Sequence, residues 1–177
     1  MDVGFLILCP DRNKGGLRNT TGSIRSYAWD RDMIAVVGDD ATTADVKELK
    51  EICPTHKGQN TITSLINVGM KKLKNDWAFI MFSGSRIPVF LERKIAMFAT
   101  KDTDVLFPVV DRKWDFISGS FNGVLINRKF FQKAGEFPTV DMQKHGMNDF
   151  EMAKMFWALG AMEQGVTFKA IVGMRII

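Results

Sequence analysis

Histidine and cysteine are scarce in this chain: His56, His145, Cys9 and Cys53 are all it holds. No CxxC pair and no His/Cys cluster occurs, which argues against a zinc site or a disulfide scaffold. Cys9 closes an apolar run and reads as a buried thiol; Cys53 closes an expected helix. No stretch approaches the ~20 consecutive apolar residues that cross a bilayer. The start, Met1-Asp2-Val3-Gly4, puts an acid where a signal peptide carries positive charge, and the apolar run 5–9 is shorter than a signal core. Cytoplasmic residence is therefore expected. Internal repeats, low-complexity tracts and interdomain linkers are also lacking. The charge excess is mild, +4 with an isoelectric point of about 9.1. It favours anionic partners, phosphates included, but the basic residues are scattered and form no nucleic-acid-binding motif.

What remains is an ordinary globular composition over 177 residues, 46% of them hydrophobic, enough to bury a core without staples. One domain over 1–177 is expected. Phe5-Leu6-Ile7-Leu8-Cys9, stopped by Pro10, is a continuous apolar run of the kind found in a parallel strand covered on both faces. Met33-Ile34-Ala35-Val36-Val37 and Trp77-Ala78-Phe79-Ile80-Met81-Phe82 read the same way. Residues 104–110 form a fourth expected strand and 166–176 a last one, with 124–126 a short apolar segment. Between them lie a polar glycine-rich segment (11–22) and a short helix (23–29). A helix over 44–52 is capped by Thr43 and stopped by Pro54, and another spans 61–74. Further helices are expected over 88–99 with proline in the first turn, over 129–134, and from Asn148 to Leu159 with Gly160 as the stop.

Strands alternating with helices predict an α/β fold with a mostly parallel, doubly wound sheet flanked by helices. Such sheets place ligands at the carboxyl ends of their strands. Those ends carry Pro10-Asp11-Arg12, Asp39-Asp40 and Ser83-Gly84-Ser85-Arg86, so polar side chains gather where a site belongs.

The order of these segments resembles the inverting family 2 glycosyltransferases of GT-A fold. The resemblance rests on Leu8-Cys9-Pro10, on Val36-Val37-Gly38-Asp39-Asp40, on Lys57-Gly58 ahead of a helix, and on the strand leading to Ser83-Gly84-Ser85. It continues through Gly123-Val124-Leu125-Ile126-Asn127-Arg128, Ala134-Gly135-Glu136-Phe137 and Asn148-Asp149, covering most of the chain. The departure is specific: the family's Asp-x-Asp is here Ser83-Gly84-Ser85. Two carboxylates normally hold a divalent ion, and neutral hydroxyls are poor replacements in charge.

The resemblance implies a sugar nucleotide as donor and a sugar, lipid or protein acceptor; the departure from it makes transfer without the usual Asp-x-Asp-bound metal the expectation. Asp149 falls at the position of the family's base, and a helix N-terminus keeps a carboxylate ionised, as a base must be. Asp39 and Asp40 match the pair that contacts the base and ribose, with Pro10, Ser83 and Ser85 lining the same nucleotide site. Arg12, Arg18, Lys57 and Arg86 are candidates to neutralise the diphosphate in place of a metal. Each has a plainer reading: a first-turn acid for Asp149, a helix-capping turn for Asp39 and Asp40, solvated charges for the basic residues. His145 precedes Asp149 by four residues but has no partners for a metal cluster. Trp114, Phe116 and Phe121 suit stacking on an acceptor sugar, but such residues more often belong to a core.

Two other functions stay open. One is a catalytically silent GT-A-like domain binding a nucleotide, glycan or protein. The other is nucleotidyl transfer, motivated by the loop Asn13-Lys14-Gly15-Gly16-Leu17-Arg18, which lacks the spacing of a GxxxxGK[ST] phosphate loop.

Overall fold

The computed structural model describes residues 2–27, 32–88, 90–109, 121–138 and 149–172. The first apolar run forms β1 (Val3–Leu8), buried at every position. It lies inside the sheet between β2 (Met33–Gly38) and β4 (Trp77–Phe82), parallel to both. A strand flanked on both edges and covered on both faces has no solvent side, which is why its sequence does not alternate. With β3 (Thr55–Gly58), β5 (Val105–Val109), β6 (Leu125–Asn127) and β7 (Phe168–Val172) the sheet order is β3-β2-β1-β4-β6-β5-β7. Only β6 runs antiparallel to its neighbours.

Successive residues of β1 feed opposite faces. Phe5, Ile7 and Cys9 pack with Leu17 and Ile24 of α1 (Lys14–Tyr27), Leu49 of α2 (Thr43–Lys50), and Leu91 and Ile95 of α4 (Leu91–Phe98). Leu6 and Leu8 pack with Leu65, Ile66 and Met70 of α3 (Ile62–Lys72), Phe130 of α5 (Arg128–Ala134) and Trp157 of α6 (Asp149–Glu163). Helices thus cover both faces, as the alternating pattern predicts: a mostly parallel mixed α/β sheet. No helix among the described residues is long and apolar enough to cross a membrane.

Several boundaries differ from expectation, each for a physical reason. The glycine-rich segment after β1 is already helical from Lys14, because the Asn13 side chain accepts from the N–H of Gly16 at 2.9 Å and starts the helix. Leu17, Thr20, Thr21 and Ile24 then form its buried stripe, which outweighs the cost of Gly15, Gly16 and Gly22. Thr42, one residue before the expected cap, closes a capping box with Asp45. Lys57 and Gly58, ahead of α3 as expected, close an edge strand, β3, that pairs with β2. Pro88 precedes α4 instead of occupying its first turn. Gly160 does not stop α6, which runs to Glu163; the stop is Gly165 at φ +70°, with the Val166 N–H reaching back to the Ala161 carbonyl.

Candidate functional site

Register sets the site. Leu8 pairs with both Val36 and Phe82, and Gly38 pairs with Gly58, so β3, β2, β1 and β4 all end on one edge. The ladders continue into the loops: Cys9 N–H donates to the Val36 carbonyl at 2.9 Å and Ser83 N–H to the Leu8 carbonyl at 2.8 Å. The crevice between β1 and β4 is where the winding reverses direction, the usual ligand position in doubly wound sheets.

Asp11 and Ser83 straddle that crevice, the Ser83 hydroxyl donating to Asp11 Oδ1 at 3.0 Å. Beneath them Cys9 is sealed from solvent, and burial, first among several influences, pushes its thiol pKa up. It is held as a neutral thiol, not as a nucleophile. On the β2 side, Arg12 takes a left-handed backbone at φ +56°. Its guanidinium lies 3.5 Å from the Asp40 carboxylate and 3.4 Å from the Asp40 carbonyl. Both partners are half-exposed, so this contact orients Asp40 more than it stabilises the fold. Gly38 explains how Asp40 reaches that place: a Cβ there would overlap the Asn60 amide and come within 2.8 Å of Asp40 Oδ1. Lys57 donates to the Ala41 carbonyl at 2.7 Å, tying β3 to the loop after β2.

The Ser83-Gly84-Ser85 loop is held from two sides. Gly84, at φ +96°, donates its N–H to Thr20 Oγ1 at 3.0 Å, and Thr20 in turn donates to the Ser85 carbonyl at 2.8 Å. Gly16 allows α1 this close, since a Cβ on it would sit 3.1 Å from the Gly84 nitrogen. From the other side Asn122 accepts from the Phe82 N–H at 3.1 Å and donates to the Ser85 hydroxyl at 3.0 Å. Both serine hydroxyls are thus engaged, one by Asp11 and one by Asn122. The residues at the Asp-x-Asp position do not fit a two-carboxylate divalent-ion site, because Asp11 brings a single carboxylate to this loop. No grouping of three or more His, Cys, Asp or Glu suited to a metal occurs among the described residues.

The edge therefore gathers Pro10, Arg12, Asp39, Asp40, Lys57, Ser83, Ser85 and Arg86 from four strand ends. Arg86, Arg18 and Asp39 are exposed and make no ion pair among the described residues. Asp11 stands at a strand end that the sequence already marks, whereas nothing in the order of motifs singles out Thr20, Asn60 or Asn122; their roles arise from contacts between residues far apart in sequence. Phe121 takes the core reading rather than the sugar-stacking one: it is sealed in the core, edge-on to Phe137 at 5.2 Å. Asp149 opens α6, but its side chain lies outside the described residues, as do His145, Trp114, Phe116 and Asn148 altogether.

No protein-family model and no curated protein matches the sequence. Solved structures do match in fold. A Staphylococcus aureus TarS structure superposes with a TM-score of 0.65 at 11% identity, over 99% of this chain and 36% of that one. TarS residues 1–349 in complex with UDP superpose at 0.59 and 13% identity, over 90% of this chain and 56% of that one. A cytidylyltransferase from Leptospira borgpetersenii serovar Hardjo-bovis matches at 0.63 and 10% identity, over 99% and 77%. A CMP:2-keto-3-deoxy-manno-octonic acid synthetase complexed with CTP matches at 0.61 and 10% identity, over 99% and 91%. At these identities the likeness shows the fold alone, one shared with a UDP-bound TarS structure and with a cytidylyltransferase. The chain spans between about a third and just over half of the TarS structures.

Proposed function

We propose that this chain binds a sugar nucleotide along the carboxyl edge of β1 to β4 and transfers the sugar to a hydroxyl acceptor without an Asp-x-Asp-bound metal. The observation that carries the proposal is the pairing of Arg12 with Asp40 beside the Asp11–Ser83 bridge over the β1/β4 crevice. Carboxylates at strand ends accept ribose hydroxyl and base N–H hydrogen bonds, the role given to Asp39 and Asp40. Arg86, exposed and next to the serine loop, is the cation given to the diphosphate, with Arg12 and Arg18 in support. Lys57 keeps two of its three donors after bonding Ala41 and completes the basic side.

In this scheme Asp149 takes the proton of the acceptor hydroxyl as its oxygen bonds to the sugar's anomeric carbon. The bond from that carbon to the diphosphate oxygen breaks, and the nucleoside diphosphate leaves with the electron pair. The direction of α6 supports the assignment. Its last turn leads directly into β7, so its first turn lies toward the opposite, carboxyl edge of the sheet. The likeness in fold to a TarS structure holding UDP supports the nucleotide class.

The test is release of nucleoside diphosphate from UDP- and CDP-linked sugars in EDTA, with and without oligosaccharide or lipid acceptors. Turnover that Asp149→Asn lowers by about 100-fold or more supports the scheme. Equal turnover in that variant overturns the role of Asp149. A second reading, nucleotidyl transfer from CTP with release of pyrophosphate, is favoured by one observation: the chain covers 77% and 91% of the two cytidylyl-type neighbours. Pyrophosphate appearing in place of nucleoside diphosphate would select it.

A further inference from the structure

We propose that the outer side of α4 docks on an anionic membrane surface. The starting point is Phe90. Its backbone sits in the left-handed region at φ +63°, a conformation that a bulky residue avoids, and its ring is 70% exposed. Its carbonyl nonetheless accepts the first bond of the helix, from the Lys94 N–H at 3.0 Å, so it is built into the head of α4. Strain is thus tolerated to hold an aromatic ring in water, which a folding requirement alone does not explain.

The rest of α4 continues the pattern. Within the helix Arg93, Lys94 and Met97 share one side at i, i+1 and i+4, and Met97 is 69% exposed, while Phe90 stands as the cap at the head of that helix. Leu91 and Ile95 anchor the other side in the core. Lys101 follows the helix, and Lys169 of β7 joins this end by donating to Thr100 Oγ1 at 2.7 Å. The result is two large exposed apolar side chains at one end of the molecule with Arg93, Lys94, Lys101 and Lys169 around them, the acids of this end being Glu92 of the helix and Asp102 beside Lys101.

This composition chooses the occupant. Two apolar side chains fall far short of the ~800 Å² per partner that a stable protein interface buries. A bilayer surface asks for less: a few apolar groups entering the headgroup region while neighbouring cations face anionic lipid. The other exposed apolar pair, Leu159 and Met162 of α6, is the internal contrast. It lies over the opposite face of the sheet, and the last turn of its helix holds no basic residue. Binding at α4 requires no nucleotide and stands apart from the reading of the site.

Co-sedimentation of the chain with vesicles tests the proposal, using phosphatidylcholine alone and phosphatidylcholine mixed with phosphatidylglycerol. Binding is expected to the mixed vesicles and to weaken as salt rises. Phe90→Gly removes the ring while suiting the left-handed backbone, so the fold is kept. It and Arg93→Glu should each weaken binding by about tenfold or more, with Leu159→Ser as the unchanged control. Absence of binding, equal binding to both vesicle types, or undiminished binding by Phe90→Gly each overturn the proposal. A self-associated species in solution that Phe90→Gly dissolves would assign this surface to a second copy of the chain and overturn the proposal as well.

Discussion

Gly38→Ala separates the geometry of the candidate site from the stability of the fold. A methyl group at residue 38 meets the Asn60 amide and lies 2.8 Å from Asp40 Oδ1. Both obstacles are ends of exposed side chains, which can swing into solvent. The direct cost is therefore the Arg12–Asp40 contact, half-exposed at both ends and worth about 0.2–1 kcal/mol. For a chain of this size that is a fall in melting temperature of at most about 4 °C. The consequence for ligand is larger. If Asp40 accepts a hydrogen bond from the nucleotide, displacing it forfeits a bond to a charged group worth about 1.5–3 kcal/mol. That corresponds to roughly 10- to 150-fold in Kd. Calorimetric titration of wild type and Gly38→Ala with UDP and CDP, beside a melt of each, checks both halves. A variant that melts normally and binds nucleotide as tightly as wild type refutes the role given to Asp40.

Other perturbations test the account elsewhere. Phe90→Gly should raise stability by about 1 kcal/mol in chemical denaturation, because glycine adopts the left-handed backbone that costs phenylalanine ~1–3 kcal/mol. Gly69→Ala should lower the melting temperature: the new methyl overlaps the buried Leu6 side chain, and overpacking of about 1–3 kcal/mol outweighs the helix-propensity gain of ~1 kcal/mol. Asp104→Ala should cost about 2–3 kcal/mol, since this buried carboxylate accepts from Lys133 at 3.3 Å and from the Thr167 N–H at 3.1 Å. Burial pushes the Cys53 thiol pKa up to about 11, from an ordinary value of 9.0. The unfolded chain therefore releases this proton first as pH rises, and stability contributed below pH about 9 is lost between about 9 and about 11. Cys53→Ala should flatten that part of a melting-temperature profile.

Much of the architecture is legible in the sequence because the inner strands are sealed on both faces. β1, β2 and β4 are uninterrupted apolar runs, and α3 shows its helical spacing plainly. β3 is hidden, since an edge strand reading Thr-His-Lys-Gly draws its order from pairing with β2 rather than from its own side chains. α1 is hidden by three glycines, whose cost is met by tertiary burial of Leu17 and Ile24. The candidate site follows the same division. Arg12, Asp39, Asp40 and Ser83 stand where strands end, and strand ends can be read. Thr20 and Asn122 are framework residues 64 and 40 positions from the Gly84 and Phe82 amides they accept from, a separation no local pattern encodes. Phe121 has the composition of a stacking platform, yet the ring of Phe137 claims it for the core.

The central claim, nucleotide binding at this edge without an Asp-x-Asp metal, is tested most directly by thermal shift with nucleoside diphosphates and sugar nucleotides. Each ligand is run with Mn²⁺ and with EDTA. A ligand that binds only the folded chain stabilises it by about 2.7 kcal/mol at 100 times its Kd. The account predicts a rise in melting temperature that persists in EDTA and shrinks in Asp40→Ala and Arg86→Ala. No rise with any nucleotide, or a rise seen only with Mn²⁺, would contradict it.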